Sequence, residues 1–211
     1  MLNLLSHSRF SVSTIQSSIK RPQGNHTARV FCIRGADIPE IARGNKGKIP
    51  ERYILQKNAT GKSLSDGDIV IEISGGSPTQ STGRVVLITE EILKKFDAPL
   101  ISTNFCRVVK PKIDYREYMY VYLSYLYNMD VFFQYENGTT GIKNLDLSSL
   151  FTVHHIVIPD KSIIKQFVSI YSSIYSTIQQ LGSENEKLAQ IRDTLLPKLM
   201  SGEIRVPVEQ N

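Results

Sequence analysis

The chain has 211 residues, 41% hydrophobic and 21% charged, which is enough apolar material for a packed core and argues against a disordered chain. It contains no run of 18 apolar residues. Its opening, MLNLLSHSRFSVSTIQ, lacks a basic start followed by a sustained apolar stretch, so neither a membrane span nor a signal peptide is expected. Net charge is +5 but uneven. Residues 1–62 hold eleven Lys and Arg against Asp37, Glu40 and Glu51, which puts this third at +8 and the rest at −3. Such a surface either attracts a polyanion or is simply solvated.

In chain order, residues 28 to about 160 read as short strands broken by turn chemistry. ARVFCIRG is a strand ending at Gly35. In LSDGDIVIEISGG an Asp-Gly turn precedes Ile69, Ile71 and Ile73, which alternate with Val70, Glu72 and Ser74, a period of two closed by glycines. GRVVLIT and STNFCRVVKP are two more strands. YREYMYVYLSYLYNMD places Met119, Leu123 and Leu126 on one helical stripe, so it is expected as a helix packed on the sheet. ENGTTGIKNLDLSSL reads as a loop, and FTVHHIVIPD as a strand stopped by Pro159. The two cysteines, Cys32 and Cys106, lie in strand-like apolar surroundings. They make neither a disulfide framework nor a zinc site, and suit buried, reduced thiols of a cytoplasmic protein.

From Lys161 the period changes. Ile164, Phe167, Tyr171, Ile174, Ile178, Leu181, Asn185 and Leu188 follow alternating steps of three and four, a heptad seam. The pattern predicts a helix of roughly 36 residues to Leu196, about 54 Å long. No second seam of this kind exists in the sequence, so the partner helix is expected from another chain. Asn185 either fixes the register of that pairing or faces water. Pro197 interrupts the apolar stripe, at a cost of about 3 kcal/mol in a helix interior. The long helix is therefore expected to stop near Leu196, with Pro197 opening a short segment, PKLMSG, that Gly202 ends. The fold class is α+β: a mixed-sheet domain over residues 1–160, then a helical region over 161–211.

Catalytic constellations are missing. The sequence has no Asp/Asn-Pro-Pro-aromatic motif, no glycine-rich cofactor loop after a strand, and no Glu-x-Lys following the Pro-Asp of IPDKS. His154 and His155 are adjacent, and in a strand they would point to opposite faces and could not chelate one metal. No metal or cofactor is expected in this chain.

Three stretches carry a family likeness: LSDGDIVIEISGGSPTQSTGR (64–84), ENGTTGIKNLDLSSLFTVHHIVIP (136–159) and NEKLAQIRDTLLPKLMSGEIRV (185–206). The sequence resembles the specificity subunit of type I restriction–modification systems. The first two stretches resemble a target recognition domain, and the third resembles the family's conserved helical region. Members usually carry two of each, whereas this chain has one of each and resembles a half subunit. The resemblance implies a non-catalytic subunit that binds double-stranded DNA as a homodimer joined by its helices. It implies methyltransferase subunits as partners, held by the helical region, with restriction subunits as a further candidate. It implies no membrane association.

Base edges are read by forked and amide side chains, whereas phosphate contacts position the protein. The loop GGSPTQSTGR offers Ser77, Thr79, Gln80, Ser81 and Arg84, and YENGTTGIKN offers Asn137, Thr139, Thr140 and Lys143. ARGNKGK offers Arg43, Asn45, Lys46 and Lys48 as phosphate clamps. Each loop is equally an ordinary glycine turn with solvated charges. The rival functions are a self-sufficient DNA-modifying enzyme and a coiled-coil adaptor without DNA specificity.

Overall fold

The computed structural model describes residues 5–11 as backbone and residues 18–75, 77, 79–138 and 142–205. In chain order the elements are β1 (Leu5–Ser11), β2 (His26–Ile33), α1 (Ile38–Ala42), β3 (Glu51–Leu55), α2 (Gln56–Lys62), β4 (Ile69–Glu72), β5 (Ser74–Gly75) and β6 (Val85–Leu87). They continue with α3 (Glu90–Leu93), β7 (Leu100–Ser102), β8 (Cys106–Pro111), α4 (Arg116–Asn128), β9 (Glu136–Asn137), β10 (Lys143–Leu145), α5 (Leu147–Val153) and α6 (Lys161–Met200). The fold is α+β, as the patterning predicts.

Two sheets pack face to face across one of two interiors. The first has the order β1-β8-β4-β6 and the second the order β3-β2-β7, in which β2 and β7 run parallel. β4 is buried along its whole length, so its alternation separates two interiors rather than core from solvent. Ile69 and Ile71, with Val85, Leu87 and Val109, face Met119, Leu123 and Leu126 of α4 and Phe132, Leu150 and Phe151. Val70, with Val86 and Val108, faces the second sheet through Phe31, Ile33 and Leu100, with Ile38 and Ile41 of α1 between. The outer face of the second sheet carries Val30, Cys32, Ile54 and Ile101 against Ala59 of α2. Both cysteines are buried and unpaired, and burial pushes the thiols up to about 11 for Cys32 and about 12 for Cys106.

Three local expectations are corrected. Residues 136–150 are not one loop, because β9 and β10 pair there and a helix begins at Leu147. The strand expected over 151–160 is the end of α5 followed by irregular chain. The missed signal is a capped helix start. The Asp146 carboxylate accepts the Ser149 N–H at 3.0 Å and the Ser149 hydroxyl at 2.7 Å, and Leu147, Leu150 and Phe151 then fall on one buried face. The long helix does not stop at Leu196 either. It runs through Pro197 to Met200, 40 residues and about 60 Å. Residues 191–197 are exposed all round, so water can take up the carbonyl that Pro197 leaves without a donor. Gly202, at φ 77°, ends the helix as expected.

With no strand at 154–155, the two histidines part differently. His154 is half-buried, its Nε2 2.9 Å from the Tyr122 hydroxyl and its Nδ1 3.4 Å from that of Tyr135, while His155 is exposed. Burial, and then the neighbouring His155, hold the His154 pKa below the ordinary imidazole value. A depressed histidine favours folding above its unfolded pKa, and that contribution is lost as pH falls. The wild-type urea midpoint should therefore drop as pH falls below about 6.5, and His154→Gln should flatten that part of the profile.

Leu123 is wholly buried between α4 and the first sheet. Leu123→Ala should lower the unfolding free energy in urea by about 2–5 kcal/mol, against about 0.5 kcal/mol or less for Lys57→Ala on the exposed face of α2.

Candidate nucleic-acid interface

The two polar loops singled out in the sequence come together. β5, at the start of the first loop, pairs with β10, and β10 pairs with β9, in a three-stranded sheet of order β5-β10-β9. Lys143 lies opposite Gly75, and Asn144 lies opposite both Ser74 and Asn137. The Glu136 carboxylate locks the loops from below. It accepts the Thr82 N–H at 2.6 Å and the Thr82 hydroxyl at 2.8 Å, and pairs with the Lys143 ammonium at 3.0 Å. That ammonium also sits 4.4 Å from the centre of the Phe133 ring.

The named residues then divide. Thr79, Gln80 and Asn137 are exposed and Ser77 is half-buried. The turn is closed by Ser77 N–H to Gln80 O at 2.9 Å, and the Gln80 amide donates to the Tyr127 hydroxyl at 3.1 Å. Ser81 is buried and faces inward. Thr139 and Thr140 lie outside the described residues. Arg84 does not present a free fork. Its Nε donates to Glu72 Oε2 at 2.8 Å and its Nη2 bonds Glu72 Oε1, and Glu72 is only 3% exposed. The Glu72 hydrogen bonds raise the Arg84 pKa in spite of burial. Arg84 pins the end of the first loop to the end of β4.

The turn before β8 joins the same edge and was not singled out in the sequence. The Phe105 carbonyl accepts the N–H groups of Ile73 at 2.8 Å and Ser74 at 3.3 Å, while the Phe105 ring is 50% exposed. Arg107 donates to the backbone carbonyls of Asn104 at 3.0 Å and Cys106 at 3.2 Å, and no carboxylate pairs with it among the described residues. The available signal was a lone arginine in the otherwise apolar strand NFCRVV. A cavity of about 340 Å³ lies beside this edge, lined by Pro39, Gln80, Arg84, Ser124, Tyr127 and Asn128.

The third loop is committed elsewhere. Arg43 and Asn45 bond the Glu40 carboxylate at 3.0 and 2.8 Å. The backbone N–H groups of Lys46 and Gly47 point at the Glu186 carboxylate of α6. The Lys46 ammonium lies over Phe96 and Phe31, 5.2 and 5.7 Å from the ring centres. Lys48 is exposed. The loop supports the long helix, so the reading of it as a dedicated set of phosphate clamps does not describe its main contacts.

The expected seam on α6 also divides. Ile164 is buried on the chain's own domain, and Phe167, Tyr171 and Ile178 are partly buried there. Tyr175, outside the expected seam, inserts into the core between the sheets and donates to the Leu87 carbonyl at 3.2 Å. Ile174, Leu181, Asn185 and Leu188 face outward. With Ile163, Ile170, Ile191, Leu195 and Leu199 they leave a long uncovered apolar row, in which Ile174, Leu181, Leu188 and Leu195 repeat every seven residues. Among the described residues no helix is long and apolar enough to cross a membrane.

No family model matches the sequence. Over 68 residues the chain is 40% identical to the type I restriction enzyme HindI specificity subunit of Haemophilus influenzae (strain ATCC 51907 / DSM 11121 / KW20 / Rd). The match covers 32% of this chain and 15% of that protein.

The geometry separates residues that hold the loops from residues that face outward. Arg84→Ala leaves a buried carboxylate without its partner and should cost about 3 kcal/mol in urea unfolding. Gln80→Ala should change stability by less than about 0.5 kcal/mol. Equal costs would mean that Arg84 does not carry the loop.

Proposed function

We propose that this chain is a non-catalytic DNA-specificity subunit of a type I restriction–modification assembly. The observation that carries the reading is the convergence of two polar loops on one small sheet, together with an uncovered apolar heptad row on α6. The partial identity to a specificity subunit supports it. In this reading Thr79, Gln80, Asn137 and Asn144 face base edges, with Phe105 and Arg107 as additional contacts, and Lys143 and Arg107 lie near phosphate. Gln and Asn suit adenine, whose major-groove edge offers one donor and one acceptor.

The helix serves as the dimer interface. Its outer row is self-complementary in the antiparallel sense about Leu181. Ile174 then meets Leu188, Ile163 meets Leu199, and Leu181 meets its own copy. A twofold axis through one self-complementary surface closes the assembly as a dimer. It puts the two domains toward opposite ends of the paired helices, so each reads one half of a bipartite DNA target and helix length sets the spacing. Leu196 and Met200 form a second exposed line off that row, one helical turn apart. They are the surface offered to a methyltransferase subunit, which supplies the cofactor and the chemistry.

Two experiments test the reading. Ile174→Asp with Leu188→Asp should convert dimer to monomer by light scattering, with the circular dichroism of the domain kept. A dimer that survives places the interface elsewhere. Selection from a randomised duplex library by the full-length protein should return two inverted half-sites around a fixed spacer. Enrichment without sequence preference, or methyl transfer by the purified chain alone, contradicts the proposal.

A further inference from the structure

We infer that the crossing of α6 over the loop at residues 43–47 is a rigid joint that sets the spacer length of the DNA target, with Gly44, Gly182 and Glu186 as its positioning residues. The inference rests on the bipartite reading above and adds to it the residues that fix the angle between domain and helix.

The joint is backbone against backbone. Gly44 has φ 82°, and a Cβ there would lie 2.6 Å from the Ile178 carbonyl oxygen. On the other side of the contact, a Cβ on Gly182 would fall far inside van der Waals distance of the Arg43 carbonyl and the Gly44 backbone. Neither position admits a side chain unless helix and loop part. Polar contacts from Glu186 and Lys95 close the gap. The Glu186 carboxylate accepts the Lys46 N–H and, at 3.3 Å, the Gly47 N–H. The Lys95 ammonium donates to the Gly44 carbonyl and lies 3.4 Å from the Gln179 side-chain oxygen. Gln179 itself is buried. These groups determine one seating. Three of the four residues that suggested DNA clamps in the sequence, Arg43, Asn45 and Lys46, belong to this loop.

The position of the joint makes it a lever. Tyr175 anchors the helix in the core seven residues before Gly182, about 10.5 Å along the axis, and Met200 lies about 37 Å from that anchor. Restoring ordinary contact around an added methyl lifts the helix at residue 182 by about 1 Å. Pivoting on Tyr175, that lift becomes roughly 3–4 Å at Met200, close to one base-pair step along a strand of 3.4 Å. In the antiparallel dimer the partner's domain rides on that far end, and it moves with it. Half-site chemistry is untouched, because among the described residues no hydrogen bond or ion pair joins the two reading loops to Glu186, Lys95 or Gln179.

The test is library selection with the full-length protein and two variants. Wild type should return one spacer length. Gly182→Ala should move that length by about one base pair or spread it over adjacent lengths, with the half-site bases unchanged. Glu186→Ala, which removes only a carboxylate, keeps the test available if Gly182→Ala does not fold, and should broaden the spacer distribution. Glu184→Ala, exposed on the same helix, should leave it unchanged. A spacer identical to wild type in a folded Gly182→Ala, or in Glu186→Ala, overturns the joint while leaving the bipartite reading intact. A wild-type protein that selects a contiguous site or no sequence overturns the bipartite reading, and the joint's role with it.

Discussion

The structure depends on a strand buried on both faces. β4 has apolar side chains directed into two separate interiors, and its last residue is a buried carboxylate, Glu72. A charge in that position is tolerable only with a partner that supplies hydrogen bonds as well as opposite charge, and Arg84 supplies both through two nitrogens. The pair joins the end of β4 to the residue just before β6. The chain between them is thereby forced into a closed excursion, the loop carrying Thr79 and Gln80. Core burial therefore fixes where this polar loop begins and ends, and the ion pair converts that into a defined surface. Glu136 repeats the device at the neighbouring loop, through Thr82 and Lys143.

The long helix solves a different problem with two faces. Its first half is part of the core, because Ile164 and Tyr175 are buried and the Tyr175 hydroxyl reaches the Leu87 carbonyl. Its outer face keeps an apolar repeat that the chain itself leaves uncovered. A 40-residue helix exceeds what one small domain can cover, and under the proposed function a second helix covers the surplus apolar length. The domain–helix seating is made where side chains are absent, at Gly44 and Gly182, so backbone geometry rather than rotamer choice sets the angle.

Periodicity revealed what burial alone decides. The strands at residues 26–33, 69–72, 85–87 and 106–111 and the stripe of Met119, Leu123 and Leu126 were legible because one-face or two-face burial leaves a repeat in the sequence. α5 was not, because a seven-residue helix offers only two turns of pattern, and its clearest mark, the Asp146 cap, sits among loop-like hydroxyls. Pro197 was overread, since an exposed final turn tolerates what a buried interior does not. The heptad steps of α6 were legible, but not their division. A helix that packs one apolar face on its own domain and leaves another exposed shows overlapping stripes, and Ile164 and Leu188 then look like one seam. For the candidate site the loops were legible from glycine and hydroxyl content, whereas the partners of Arg84 and the exposure of Phe105 depend on contacts distant in sequence.

Charge follows the same logic. Three of the eleven basic residues of the first third are paired within the domain: Arg29 with Glu51 and Asp97, Arg34 with Asp37, and Arg43 with Glu40. At the converging loops the exposed groups are largely neutral amides and hydroxyls, and the one cation on β10, Lys143, is held by Glu136. Under the proposed function such a surface discriminates bases but, with Arg107 its one cation without a carboxylate partner among the described residues, draws little of the non-specific affinity that phosphate neutralisation provides. A single domain of this kind would therefore be a selective but weak reader. Coupling two of them through the helix makes the second engagement intramolecular, which raises overall affinity without adding a contact, provided that both domains reach their half-sites together. Under the proposed function, the uncovered row on α6 and the near-neutral reading edge are two sides of one constraint: specificity resides in each loop pair, and usable affinity exists only when the helices hold both pairs at a fixed separation.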